Sequence, residues 1–332
     1  MNDVARRAGV TKQTVSNVVR GRDVVSPETR ARVEAAIAEL GYRPNLVARG
    51  LATGTTMIVG FIVPTVAHPF YSVVVEEVES VLEEHGYHLL LATTRGEGER
   101  ARRQLAAVSS RSVDAVLVAG DRDLGEHVSQ LEKLGVPVAL CAWETNPPGT
   151  LPVVTVDYER VGHLAGRHLR DLGHRRAAVI AQLPSHQFRV AGLRRAFAEG
   201  GVDVPEGGLY TVSEPTAEAG YDAALTMLAA RDRPTCVFAS TDAIALGVLE
   251  ALRHQGLRVP DDISVVGVDD IPQAAYAHPP LTTIALPKRR IAREATELLL
   301  RSIRGGIQPP ADVSLLSPEL VVRTSSGPPS AS

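Results

Sequence analysis

Lys12, Gln13, Thr14 and Asn17 lie within six consecutive positions near the start of the chain, and helical spacing would turn all four outward. A carboxamide donates and accepts at once, so Gln13 can pair bidentately with an adenine edge and Asn17 can do the same. Such chemistry needs a helix that fits the major groove and a second element that holds it there. The flanking residues supply both. Val4, Ala5 and Ala8 fall on one face of a short helix, Gly9 permits a tight turn, Thr11 can cap the next helix, and Val15, Val18 and Val19 face inward. Ser26-Pro27-Glu28 then starts a third helix, with Val33, Ala36, Ile37 and Leu40 at core spacing and Gly41 as its stop.

Other residue types that could do chemistry do not assemble into sites. Ten histidines are present, but His85 and His88 straddle Gly86, and His163 and His168 are five apart, so neither pair has zinc spacing. No GxSxG elbow organises the serines, and Asp269 and Asp270, adjacent at a strand end, point different ways. GEGERA (96–101) imitates a dinucleotide fingerprint, with Asp121 beyond it. Glu97 and Glu99 would oppose a pyrophosphate there, however, and the motif follows the second strand of its series. Cys141 and Cys236 sit in apolar strand-like runs and read as buried thiols. No catalytic residue, cofactor or metal is expected.

Charge is divided unevenly. Residues 1–55 carry nine Lys or Arg against five Asp or Glu, so a head of net +4 is joined to a body of −7, within a whole-chain charge of −3. A basic head on an acidic body suits a tethered module for a phosphate-rich partner, with binding that weakens as salt rises. No signal core follows Arg6 and Arg7, and no apolar run is long enough to span a bilayer. The expected location is cytoplasmic, on the nucleoid, with no membrane partner.

Residues 44–54 (PNLVARGLATG) are helix-capable but weakened by Gly50, which predicts a hinge that is helical only when DNA and a partner chain support it. From Met57 the pattern becomes alternating strands and helices, in two series. That grammar predicts an α/β body of two doubly wound parallel-sheet subdomains, with a ligand cleft at the carboxyl ends of the strands. A helix from Pro287 to about Arg304 and a strand near 319–323 complete it. The expected divisions are a headpiece at 1–43, hinge and linker at 44–56 and a body at 57–326, followed by a frayed tail at 327–332. Within the body, 57–157 and 287–316 form one subdomain and 158–286 and 317–326 the other.

DVARRAGVTKQTVSNVV, VSPETRARVEAAIAELGYRPN and VARGL, followed in order by HPFY, DLGHRR, RVAGLRRAF, STDAIALG, DISVVGVDD and PPLTTI, resemble the lactose/galactose repressor (LacI/GalR) family over nearly the whole chain. The resemblance implies an allosteric transcription regulator with a helix-turn-helix headpiece and a body like periplasmic sugar-binding proteins. Thr11, Lys12, Gln13, Thr14 and Asn17 match recognition-helix contacts to phosphates and bases. Ala48 and Leu51 match the hinge, where the leucine wedges into the minor groove and bends the duplex. Phe70 and Tyr71 match a pocket wall, and Trp143 a rim position where an aromatic face could stack on a sugar or base. Thr241 matches a further pocket position. Arg189 and Asp269 match groups that hydrogen-bond effectors across the cleft, unless Arg189 forms a structural salt bridge instead.

Several positions depart from the family pattern. Asn17 stands where Arg is common, favouring an adenine contact over a guanine fork. Ala142 replaces an acid, Pro215 an aromatic wall and Thr241 a frequent Asn. Only Met1 and Asn2 precede Asp3 where relatives carry a Thr-Ile cap, implying a weakened first turn or a start codon set too late. The resemblance implies a homodimer on a pseudo-palindromic operator, since SSGPPSAS ends the chain without a tetramer-forming heptad. It also implies a small-molecule effector, a sugar or sugar derivative first and a purine or nucleoside second. A free-standing binding protein or a cleft enzyme is the alternative from another class.

Overall fold

A computed structural model describes residues 1–19, 23–42, 55–110, 113–120, 124, 127–145, 149–305 and 310–330. Residues 44–54, including Ala48 and Leu51, lie outside that set. The chain divides into two compact units, Met1–Met57 and Ile58–Ser332.

The first unit is a three-helix head. Asn2–Ala8 starts with no side-chain cap at Met1 and ends on Gly9 at φ 63°. The second helix, Lys12–Val19, comes immediately after. The third, Pro27–Glu39, is capped by Ser26, whose hydroxyl accepts from the Thr29 amide. Val4, Val15 and Val33 are at most 1% exposed and form the centre of a core that each helix enters. Leu40, expected inside, is 45% exposed because the helix has already ended at Glu39.

The second unit holds two six-stranded sheets. The first takes β1 (Ile58–Val63), β2 (His88–Thr93), β3 (Ala115–Ala119), β4 (Val138–Cys141), β5 (Val153–Val156) and β11 (Val313–Leu316), all parallel, in the order β11-β5-β4-β3-β1-β2. The second takes β6 (Ala177–Gln182), β7 (Leu209–Val212), β8 (Cys236–Ala239), β9 (Ser264–Asp269), β10 (Thr282–Ala285) and β12 (Glu319–Val321), in the order β12-β10-β9-β8-β6-β7, with β12 antiparallel. The chain passes between sheets after β5, after β10 and between β11 and β12. The central strands are buried along their length but for Ile58 at the start of β1, as continuous Val/Ile/Ala runs covered by helices on both faces require.

Two strands add to the expected set. β10 lies in PPLTTI and is polar by composition, yet Thr282 and Thr283 are fully buried because their hydroxyls find partners in Ser326 and Asp242. β11 carries no long apolar run and is an edge strand with Leu315 59% exposed. Val128–Leu131 forms one short helix before β4. The tail does not fray through Ser330. His174 and Ser264 donate to or accept from Gly327, and the Ser330 hydroxyl donates to the Asp261 carbonyl. A buried imidazole with a carbonyl in reach anchors what composition alone marks as loose.

The helices Tyr158–Asp171 and Gln187–Ala198 approach through glycines. A Cβ on Gly162 would stand 1.7 Å from the Arg189 carbonyl oxygen, and one on Gly192 would stand 1.8 Å from that of Glu159. This crossing sets where Arg189 stands.

Candidate functional site

In the head, Thr11 accepts the Thr14 amide at its hydroxyl, as a cap should. Thr11, Lys12 and Gln13 are exposed, and Thr14 and Asn17 are half-buried. The Gln13 amide donates to Asn17 Oδ1 at 3.2 Å, so the two carboxamides stand together one helical turn apart. The second helix therefore presents a contiguous polar surface while Val15 and Val18 hold its other side in the core.

In the body, a cavity of about 590 Å³ opens where strands of both sheets end. Pro64 to Tyr71 follow β1, Gly120 follows β3, and Ala142 and Glu144 follow β4. Ser185, His186 and Arg189 follow β6, Glu214 and Pro215 follow β7, Thr241 follows β8, and Asp269 ends β9. Parallel strands aim their carboxyl ends at one side, and so these loops converge there.

His68 caps the helix Pro69–Glu84, its Nδ1 accepting the Phe70 amide at 3.3 Å. Phe70 and Tyr71 line the cavity and meet edge to face at 5.1 Å between centroids. Thr241 also lines it, though its hydroxyl is used to cap Asp242–His254.

Arg189 is buried and lies 4.9 Å above the Tyr158 ring. Its guanidinium donates to both oxygens of Glu144, at 2.9 and 2.7 Å, and to the Ser240 carbonyl at 2.6 Å. Asp269 is farther off, at 4.0 Å. Arg189 thus lines the cleft and forms ion pairs as well, closely with Glu144 and more loosely with Asp269. Burial opposes its charge, but Glu144 and Asp269 outweigh that and hold the guanidinium protonated.

Asp269 has φ 113° and Asp270 has φ 52°, conformations that cost a side-chain-bearing residue. The strained pair is held from outside. Lys288 donates to both backbone carbonyls, and Arg323 binds the Asp270 carboxylate at 2.7 Å. Of the two carboxylates only that of Asp269 lines the cavity. Burial pushes its pKa up, against the pull of Arg189, His68 and Lys288. Burial likewise pushes the His68 pKa down, and Asp269 offsets this only in part.

Trp143 is not part of this wall. It is 2% exposed and packs with Leu124, Leu131, Leu140 and Leu151 behind the first sheet. Ala142, at φ 50°, interrupts the strand alternation. The indole falls on the Leu140 side, where it buries a large apolar area, and Glu144 reaches the cleft instead. Glu144 and His68 are the important residues that sequence reasoning missed. Their signals were available: an acid just past a strand end where Ala142 had removed one, and the His of HPFY immediately before a helix-starting proline. Among the described residues no cluster of His, Cys, Asp and Glu could hold a metal ion, and no helix is long and apolar enough to cross a membrane.

Comparison with known proteins agrees with this architecture. Residues 1–45 match the model for bacterial regulatory proteins of the lacI family, and residues 166–326 match a periplasmic binding protein-like domain. The chain is 34% identical to catabolite control protein A of Priestia megaterium, covering 90% of this chain and 91% of that protein. It is also 34% identical to the HTH-type transcriptional repressor PurR of Photobacterium profundum, over 98% of both. Among solved structures, the Lac repressor dimer bound to operator and the anti-inducer ONPF superposes with a TM-score of 0.86 at 28% identity, covering 98% of each chain. The complex of the transcriptional regulator CelR with cellobiose gives 0.73 at 34% identity, covering 97% of this chain and 98% of that one. A three-helix head with an outward carboxamide pair, a two-sheet body and full-length likeness to repressors converge, and the chain belongs to the LacI family of DNA-binding transcriptional regulators.

Proposed function

We propose that this regulator is a homodimeric repressor that binds a pseudo-palindromic operator through paired heads and releases or grips it in response to a sugar or sugar derivative in the cleft. The carrying observation is the hydrogen-bonded Gln13–Asn17 pair on Lys12–Val19, with Gln13 exposed and Asn17 half-buried, opposite a face buried in the head's core. Two such helices related by two-fold symmetry read two half-sites. Asn17 directs its half-site contact toward adenine, while Thr11, Lys12 and Thr14 add phosphate and base contacts. On family resemblance alone, Ala48 and Leu51 supply the minor-groove contact between half-sites.

A sugar is the preferred effector because the cleft sets the directed polar groups of Arg189, Asp269 and His68 beside the rings of Phe70 and Tyr71, the combination of hydrogen bonds and aromatic contact that suits a hydroxyl-rich ring. Effector binding between the subdomains changes their relative angle, and by reciprocity its coupling to operator affinity is the same in either direction.

The test is a gel shift of the full chain on its own promoter and those of adjacent genes, at two salt concentrations, with cellobiose, ribose or adenine added. Salt-weakened specific binding altered by a sugar supports the reading. Absence of specific binding under every condition refutes the repressor, and a response to adenine alone refutes the sugar.

A further inference from the structure

A helix dipole favours acids at the N-terminus and cations at the C-terminus, yet Lys288, Arg289 and Arg290 open the helix Lys288–Gly305, whose first turn holds no acid. Three cations at the disfavoured end need partners elsewhere. Arg290 finds Glu294 on its own helix at 2.6 Å, a local pair that ties nothing together. The other two reach into different subdomains.

Lys288 donates to the carbonyls of Asp269 and Asp270 at the end of β9, the second at 3.1 Å. These are the two consecutive residues at φ 113° and 52°, a backbone that persists only where its surroundings hold it. Arg323 fastens the same pair within the second subdomain, through the Asp270 carboxylate at 2.7 Å and the Leu281 carbonyl at 2.8 Å. One ammonium therefore joins the strained cleft wall to a helix that otherwise belongs to the first subdomain.

That helix is built into the first subdomain. It buries Ile291, Ala292, Ala295 and Leu299 and packs on β3, β4, β5 and the helix Pro69–Glu84. Arg289 donates to Glu76 at 2.9 Å and to Glu77 at 3.0 Å, and Arg293, one turn on, donates to Glu77 at 2.9 Å and to Glu84 at 3.3 Å. Glu77 is 8% exposed, so a buried carboxylate on Pro69–Glu84 is clasped by two guanidiniums from Lys288–Gly305. Breaking such a clasp leaves a charge without compensation, and the two helices therefore move as one.

We infer that Lys288 is a positioning residue for the effector response: it fastens the Asp269–Asp270 backbone to Lys288–Gly305, so that movement of this cleft wall passes through Arg289, Arg293 and Glu77 to Pro69–Glu84. The inference rests on the cleft reading above, but it requires no particular effector and is tested without one.

The experiment is amide hydrogen exchange of the full chain, read peptide by peptide by mass spectrometry. Lys288→Met keeps the apolar stem and removes the ammonium. Exchange should rise about tenfold at 269–271, where Thr283 and Asp242 hold the amides of Asp270 and Ile271, and about threefold across 76–84. Lys288→Arg still donates to carbonyls and should restore both segments. Coupling is reciprocal, so Glu77→Gln should speed exchange at 269–271 by about threefold, and Arg289→Met, at a largely exposed position, serves if the buried change folds poorly. Ala217–Leu228 is the control and should keep its wild-type rate throughout. A Lys288→Met effect confined to 269–271 and the first turn of its own helix leaves only a local strut and overturns the relay. Unaltered exchange at 269–271 in both Glu77→Gln and Arg289→Met does the same. Acceleration that extends equally to Ala217–Leu228 marks general loss of stability rather than transmission, and it too overturns the relay. None of these results touches the effector assignment, and a failed gel shift with sugars leaves the relay standing.

Discussion

Gly162→Ala adds one methyl group at the point where Tyr158–Asp171 crosses Gln187–Ala198, and its consequence can be worked from distances. The new Cβ would stand 1.7 Å from the Arg189 carbonyl oxygen, 2.6 Å from its carbonyl carbon and 2.9 Å from the Leu193 amide nitrogen. All three are backbone atoms, so no rotamer change relieves the clash. Ordinary contact requires the helices to part by roughly 1.5 Å, and overpacking of this kind costs about 3 kcal/mol, near the upper end for a core insertion. Alanine's better helix propensity returns about 1 kcal/mol, leaving a net loss of about 2. At about 2 °C per kcal/mol for a unit this large, Tm should fall by about 4 °C. The functional loss should exceed the thermal one, because the displaced backbone is that of Arg189 itself. Its 2.7 and 2.9 Å bonds to Glu144 would stretch or break, and effector affinity should drop at least tenfold while operator binding by the separate head persists. Differential scanning calorimetry and effector titration measure both, with Gly98→Ala, whose Cβ meets nothing within 4 Å, as the control. A Gly162→Ala protein as stable as wild type and with unchanged effector affinity would show that the glycine crossing does not position Arg189.

Three other outcomes are expected. Glu144→Gln breaks a buried bidentate pair and should cost about 3 kcal/mol, seen as a Tm drop near 6 °C; an unaltered Tm would mean the pair contributes nothing to the fold. Gln13→Ala should lose about 1–3 kcal/mol on the cognate operator and relax preference at one base pair, whereas Lys12→Ala should weaken all sequences alike and reduce the salt slope by about one, as filter binding against salt can show. Burial holds His174 below the ordinary histidine pKa despite the hydrogen bond from its ring to the Gly327 carbonyl. Its neutral form is therefore the one that folds. The unfolded chain takes up the proton first, so the stabilisation is complete above about pH 6.5 and declines as pH falls below that value toward the lowered folded pKa. Asp242 and Asp269, raised by burial, work the other way in acid. The clean measurement is consequently the difference in Tm from a His174→Gln variant, which should narrow on acidification; a constant or widening gap would contradict a neutral buried His174.

How legible each part was in the sequence depended on how local its cause is. The head was readable nearly to the residue, since Val4, Val15 and Val33 must share a face if three short helices are to close any core, and what remains on Lys12–Val19 then faces out. Phe70, Tyr71, Arg189, Thr241 and Asp269 were named through the family resemblance, and they line one cavity because parallel strands send their following loops to one side. Trp143 was misplaced for a reason that no pattern of types contains: a single left-handed residue, Ala142, reverses which of the next side chains meets the cavity. β10 was missed because its threonines look like a loop until Asp242, 41 residues away, is seen to accept one of their protons.

By itself, then, the order of residues determined the two kinds of domain, the outward chemistry of the second helix and the end of the body where a ligand sits. These come from periodicity, capping and the polarity of parallel strands, all of which act over a few residues. Only the tertiary structure decided which groups meet there: Glu144 on Arg189, Trp143 in the core, the tail on His174, and His68 facing Asp269 at 4.0 Å across two subdomains. Distances between side chains far apart in the chain depend on how closely helices and sheets pack, and at positions such as Gly162 that packing is settled by a single missing methyl group.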